Sequence, residues 1–173
     1  NRDGSWGNHT RTKGLNVLCP YPEGPRSFRT ASTSLCVIGL LTSPLKEDPA
    51  VKASLDKALQ YLLTTLPTLK RGDTRTVLGV WGHAYGLSAL SRAARNLPAD
   101  APLREELKKV ASLQVKALDQ MADVQGGWGY YTFETFSKRP IGEPTSFLTA
   151  TVLLAYKDAE QAFGLKAEPR VVK

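Results

Sequence analysis

The chain has 173 residues, 42% hydrophobic and 23% charged, enough for one folded domain with a sizeable core. Lys and Arg number 23 against 16 acids, a formal charge of +7; the cations are scattered, with no basic helix, RNA-binding signature or zinc-finger spacing, so nucleic acid is not an expected partner. No apolar run is long enough to cross a membrane, and two cysteines are too few for a disulfide scaffold or a zinc site.

Asp3-Gly4-Ser5-Trp6-Gly7 stands at the start, with no initiator Met before it. The expectation is a processed product or a piece of a longer chain, with an exported compartment left open. Residues 8–30 are polar, carry Pro20, Pro22, Gly24 and Pro25, and read as a loop. Thr30, Ser32 and Thr33 then offer N-caps to a helix through about Leu41. That helix is apolar nearly all round, which predicts burial on every side. Cys19 lies in the loop and Cys36 in the helix, and both a bridge between them and two separate thiols stay open.

Asp48-Pro49 opens the next helix, with proline in its first turn. Val51, Leu55, Ala58, Leu59, Leu62 and Leu66 recur at helical spacing, opposite Lys52, Asp56, Lys57 and Gln60. Pro67 ends it, and Lys70-Arg71-Gly72-Asp73 reads as a turn. A third helix is predicted from about Thr74 to Asn96, apolar on most sides in its first half. Gly79, Gly82 and Gly86 fall within it. Each costs about 1 kcal/mol relative to alanine, so together they predict close packing or a cavity wall there.

A fourth helix runs from Pro102 to Met121, with Leu103, Leu107, Val110, Ala111, Ala117 and Leu118 on one side and charges on the other. Gln125-Gly126-Gly127-Trp128-Gly129-Tyr130-Tyr131 brings back the Gly/Trp turn of residues 3–7. A fifth helix, Thr145 to about Phe163, is predicted buried at first and amphipathic later, with Gly164 as its C-cap. The tail from Glu168 reads like the start of another helix.

The pattern is therefore all-α: an inner layer of apolar helices alternating with an outer layer of amphipathic ones, a partial α/α-toroid built as a single repeat domain. Within it, Lys116-Ala117…Met121…Gln125-Gly126-Gly127-Trp128 and Lys57-Ala58…Tyr61-Leu62 are similar to the repeats of squalene–hopene cyclases, oxidosqualene cyclases and protein prenyltransferase β-subunits. The chain most resembles the bacterial prenyltransferase and squalene-oxidase repeat proteins, over nearly its whole length. The resemblance assigns structural roles to Trp6, Gln125, Gly127 and Trp128. It departs from the family in three places. The turn from Gln125 to Trp128 is short, Lys70-Arg71-Gly72-Asp73 lacks the Trp, and neither the Asp-x-Asp-Asp acid motif nor the Asp-x-Cys zinc motif occurs.

His83, in Trp81-Gly82-His83-Ala84-Tyr85-Gly86, titrates near neutrality, but no second histidine is near. The reading as an interior, hydrogen-bonded histidine stands beside the reading as a cavity-lining ligand. Trp6, Trp81, Tyr85, Trp128, Tyr130 and Tyr131 serve either as core plugs or as an aromatic lining. Asp73, Asp123 and Glu143 read as site acids or as turn and cap carboxylates. Arg26 and Arg29, then Lys70, Arg71 and Arg75, then Lys138 and Arg139 precede the three apolar helices. If those helices run parallel, the cations gather on one rim beside three positive helix N-termini. The expected function is a non-catalytic module binding a partner or a small anionic or apolar ligand, with no cofactor and no metal. The alternative is an enzyme acting on isoprenoid diphosphates or polyenes.

Overall fold

A computed structural model of the chain describes residues 1–8, 22–71, 75–134 and 137–171. Among these residues are five α-helices: α1 (Glu23–Thr42), α2 (Pro49–Thr65), α3 (Gly79–Arg95), α4 (Pro102–Met121) and α5 (Ser146–Phe163). Short 3-10 turns, Leu66–Thr68 and Pro169–Val171, follow α2 and close the tail. The only β-pairing among the described residues is an isolated bridge from Thr76 to Tyr131.

Helix α3 is the centre. It packs against α1 on one flank, α5 on the other and α4 behind. The three inner helices run parallel. At their N-terminal ends the Ser27 hydroxyl meets Leu78 O at 3.1 Å, and Trp81 stacks on Phe147. At the C-terminal ends of α3 and α5, Arg92 bonds Asp158 and Arg95 bonds Gln161. All three α3–α5 pairs are 66 residues apart, so the two helices lie in register along their length. The outer helices run the other way. Arg29 near the start of α1 lies over Tyr61 near the end of α2. Arg104 at the start of α4 donates to Ala94 O at the end of α3.

The N-terminal boundary of α1 differs from the sequence expectation. Residues 23–32 are helical rather than loop. Pro22 and Pro25 sit at the helix start, where a missing N–H breaks no intrahelical bond. Thr30, Ser32 and Thr33 lie inside the helix and cap nothing. The hydroxyls of Thr30, Thr33 and Ser34 donate to carbonyls four residues back at 2.8–2.9 Å, which lets small polar residues sit in a buried helix. The start of α3 shifts the other way. Residues 75–77 are extended, because Val77 and Arg75 exchange backbone bonds with Tyr130 and Thr132.

Burial on every side holds for α3 only. Leu35 on α1 is 48% exposed, and Phe147 and Leu154 on α5 are 54% and 62% exposed. Helix α3 has an inner neighbour on both flanks, whereas α1 and α5 each have α3 on one flank. Their opposite stripes have no helix against them among the described residues. The outer helices are one-sided as expected: α2 buries Ala58, Leu59, Leu62 and Leu63, and α4 buries Leu107, Val110, Ala111 and Leu118.

The α3 glycines mark close approach. A Cβ at Gly86 would run into the Leu66 side chain, and one at Gly82 would lie 2.8 Å from both Leu69 Cδ1 and Ser27 Oγ. The Gly82 amide itself donates to that hydroxyl at 3.2 Å. The glycines let α1 and the turn after α2 press onto α3. Asp48 caps α2 through Ala50 N and Val51 N, and Gly164 ends α5 at φ 70°. The tail beyond it makes a 3-10 turn instead of a new helix.

Candidate functional site

Two of the Gly/Trp turns are held by the same contact. The Trp6 amide donates to Thr33 Oγ1 at 2.9 Å, and the Trp128 amide donates to Thr149 Oγ1 at 3.1 Å. In each, a buried or turn aspartate accepts an amide two residues on: Ser5 N to Asp3, Gln125 N to Asp123. Gly127 adopts φ 76° with its Hα facing Thr149, which leaves no room for a side chain. Trp128 is wholly buried, donates its indole N–H to Leu118 O at 2.9 Å and meets Tyr156 edge-on. Trp6 is half-buried and Gln125 exposed. These residues hold turns to helices. Thr33, expected as a helix cap, and Thr149 are their anchors.

The aromatic lining comes from a different set. Trp81 and Tyr85, one turn apart on α3, stack at 5.5 Å with an angle of 12° between rings. Phe147 of α5 stacks on Trp81 at 6.1 Å, and Tyr130 lies 6.0 Å from Trp81 and 5.8 Å from Phe147. All four keep some solvent exposure. They form a continuous aromatic strip over the first turns of α3 and α5, on the side of the inner helices away from α4. Leu35 and Leu154 extend the exposed apolar surface along α1 and α5. Sequence periodicity could not pick out Phe147, since it reads as core.

His83 lies beneath this strip at 3% exposure and does not reach the surface. Its Nδ1 is 2.7 Å from Gln114 Oε1, and Gln114 Nε2 donates to Val110 O, so the amide presents its oxygen and Nδ1 carries the proton. Nε2 is buried with no hydrogen-bond partner among the described residues. Burial pushes the His83 pKa below its ordinary 6.5, with the Gln114 bond acting weakly the other way. The unfolded chain then binds the extra proton first. Stability is fully present above about pH 6.5 and falls as the pH drops toward the lower folded pKa. We expect His83→Gln to flatten that part of the stability–pH curve, measured by urea melts between about pH 4.5 and 7.5.

The seven rim cations do lie at the end where the inner helices begin, but they are not all available there. Arg29 sits two turns inside α1 and makes paired bonds of 2.8 and 3.0 Å to Asp3. Arg139 donates to Asp119 O at the end of α4, at 3.1 Å. Arg26 bonds Thr68 and faces Glu23 at 3.6 Å. Arg71 reaches Thr76 O at 3.0 Å but stays exposed, as do Lys70, Arg75 and Lys138. Arg29 and Arg139 are tied into the fold; Lys70, Arg71, Arg75 and Lys138 make up the exposed basic surface.

The buried carboxylates are likewise engaged. Asp123 accepts from Gln125 N at 2.9 Å and Gly142 N at 2.7 Å. Asp158 holds Arg92 and Arg95 at 2.9 and 3.0 Å. Asp119 accepts the Tyr156 hydroxyl at 2.8 Å, and burial raises its pKa. Glu143 is exposed at a turn, and Asp73, His9 and Cys19 lie outside the described residues. Cys36 is a free, half-buried thiol whose pKa burial raises. No three His, Cys, Asp or Glu side chains among the described residues cluster as metal ligands, and no helix there is long and apolar enough to cross a membrane. Comparison of the chain with protein-family models, curated proteins and solved structures gives no match.

Proposed function

We propose that the chain is a non-catalytic helical repeat module, of the prenyltransferase and squalene-oxidase repeat type, that binds an apolar ligand or partner on its inner face. The observation that carries the reading is the partly solvent-facing strip of Trp81, Tyr85, Tyr130 and Phe147, whose rings stack on one another at the edge of the core. A cluster of aromatics left partly open to solvent needs a reason, since such groups gain most by burial. The twice-used Trp–Thr contact and the parallel inner row support the repeat reading. The non-catalytic reading is supported by the engagement of Asp119, Asp123 and Asp158 in hydrogen bonds and ion pairs that hold the fold.

The exposed cations near the strip favour one second reading, an isoprenoid diphosphate with its chain on the rings and its head at Lys70 and Arg71. Titration of tryptophan fluorescence with farnesol and with farnesyl diphosphate tests both. Trp128 is sealed and Trp6 sits against α1 and beside Ser54 and Lys57 of α2, so a ligand on the strip changes the Trp81 signal. The expected result is saturable quenching by both compounds, lost in Trp81→Phe. A preference of tenfold or more for the diphosphate would favour the second reading. Quenching that persists in Trp81→Phe places the ligand elsewhere and sinks both.

A further inference from the structure

Beyond the inner face, the end of the molecule formed by residues 69–71, 75–77, 130–134 and 137–142 has its own character. The segments are tied into one surface by backbone bonds: Val77 N to Tyr130 O, Thr132 N to Arg75 O, and Phe133 N to Ile141 O. Phe133 stands at its tip, 67% exposed, and Tyr131 beside it is 41% exposed. Lys70, Arg71, Arg75 and Lys138 are exposed around them, against the exposed acids Glu134 and Glu143. Three helices begin at this end and two finish there, so the helix dipoles add about half a positive charge. The opposite end also carries cations, but there Lys52 pairs with Glu47, Arg92 and Arg95 with Asp158, and Lys166 with Glu160.

We propose that this end is a docking surface for anionic lipid bilayers. The pairing of protruding aromatics with a surrounding ring of cations fits that interface. Aromatic rings settle at the headgroup level, and cations are drawn to the negative leaflet. A soluble anion would explain the cations but not the exposed Phe133. An apolar protein groove would explain Phe133 but not the exposed cations around it. Binding of this kind is peripheral and reversible, since a few side chains enter the interface and none spans it.

The test is co-sedimentation of the whole chain with phosphatidylcholine vesicles, alone and with about one third phosphatidylglycerol. The protein should bind the anionic vesicles and not the neutral ones, and about 0.5 M salt should release it. Lys70→Ala with Lys138→Ala should lower the partition coefficient about thirtyfold, at roughly fivefold per cation. Depth is read with one added tryptophan, Phe133→Trp at this end and Leu45→Trp at the other, as quenching beyond that of the unaltered chain's three tryptophans, in vesicles with brominated acyl chains. Both positions are exposed, so neither change should alter the circular dichroism spectrum. Quenching should appear at 133 and not at 45. Equal quenching at both positions, equal binding to neutral vesicles, or retention on a soluble acidic polymer without vesicle binding would each overturn the proposal. If either probe variant unfolds, sedimentation of the unaltered chain decides.

Discussion

Trp128→Ala should lower the free energy of unfolding by about 3–5 kcal/mol, the range for truncating a sealed core aromatic. The ring has no exposed surface, packs edge-on to Tyr156 and donates to Leu118 O. Its removal leaves a void between α4 and α5 and strips a carbonyl near the end of α4 of its partner. Trp128→Phe separates the two losses. It keeps most of the packing and loses the N–H, so its cost should be nearer 1–3 kcal/mol. Urea melts of the three proteins give the values. A loss below about 1 kcal/mol in the alanine variant would mean that the turn rearranges and the ring carries little.

Asp123→Ala should cost about 2–4 kcal/mol, because it orphans two backbone amides at once. Asp123 is 4% exposed, and its two oxygens serve Gln125 N and Gly142 N, on either side of the Tyr130–Ile141 segment. Gly142 itself lies against the Tyr131 carbonyl, which leaves its amide little room to find a new partner. Asp123→Asn retains one acceptor and should recover part of the loss. Should both variants melt like the parent, the carboxylate is free for a ligand, and its reading as a turn anchor fails.

The helices were legible in the sequence where one face carries the apolar residues. Leu107, Val110, Ala111 and Leu118 on α4, and Ala58, Leu59 and Leu62 on α2, follow the helical repeat, and both helices bury that face. The first turns of α1 were not legible. Pro22, Gly24, Pro25 and a run of Ser and Thr carry loop chemistry, and only tertiary burial makes Thr30, Thr33 and Ser34 turn their hydroxyls onto the helix backbone. The exposed faces of α1 and α5 were hidden for another reason. An apolar stripe reads the same whether a neighbour covers it or not, so Leu35, Phe147 and Leu154 looked like core.

The candidate site was half legible. Trp81 and Tyr85 are one turn apart, a spacing visible in the chain, while their partners Phe147 and Tyr130 come from segments that only the fold brings near. The arginines show the opposite failure. Arg29 and Arg139 read in the sequence as rim cations alongside Lys70 and Lys138, yet their guanidinium groups bond Asp3 and the Asp119 carbonyl. Charge can be counted from a sequence. Whether it faces solvent cannot.

The central place of α3 also shapes how the molecule fluctuates. Helices α1 and α5 lean chiefly on α3 and not on each other. One flank can therefore open while the other keeps its contacts, and partial unfolding divides into two semi-independent units about a common spine. The α3 amides, covered from three sides, are then the last to exchange with solvent. Motions that admit a molecule to the surface of one flank need not disturb the other.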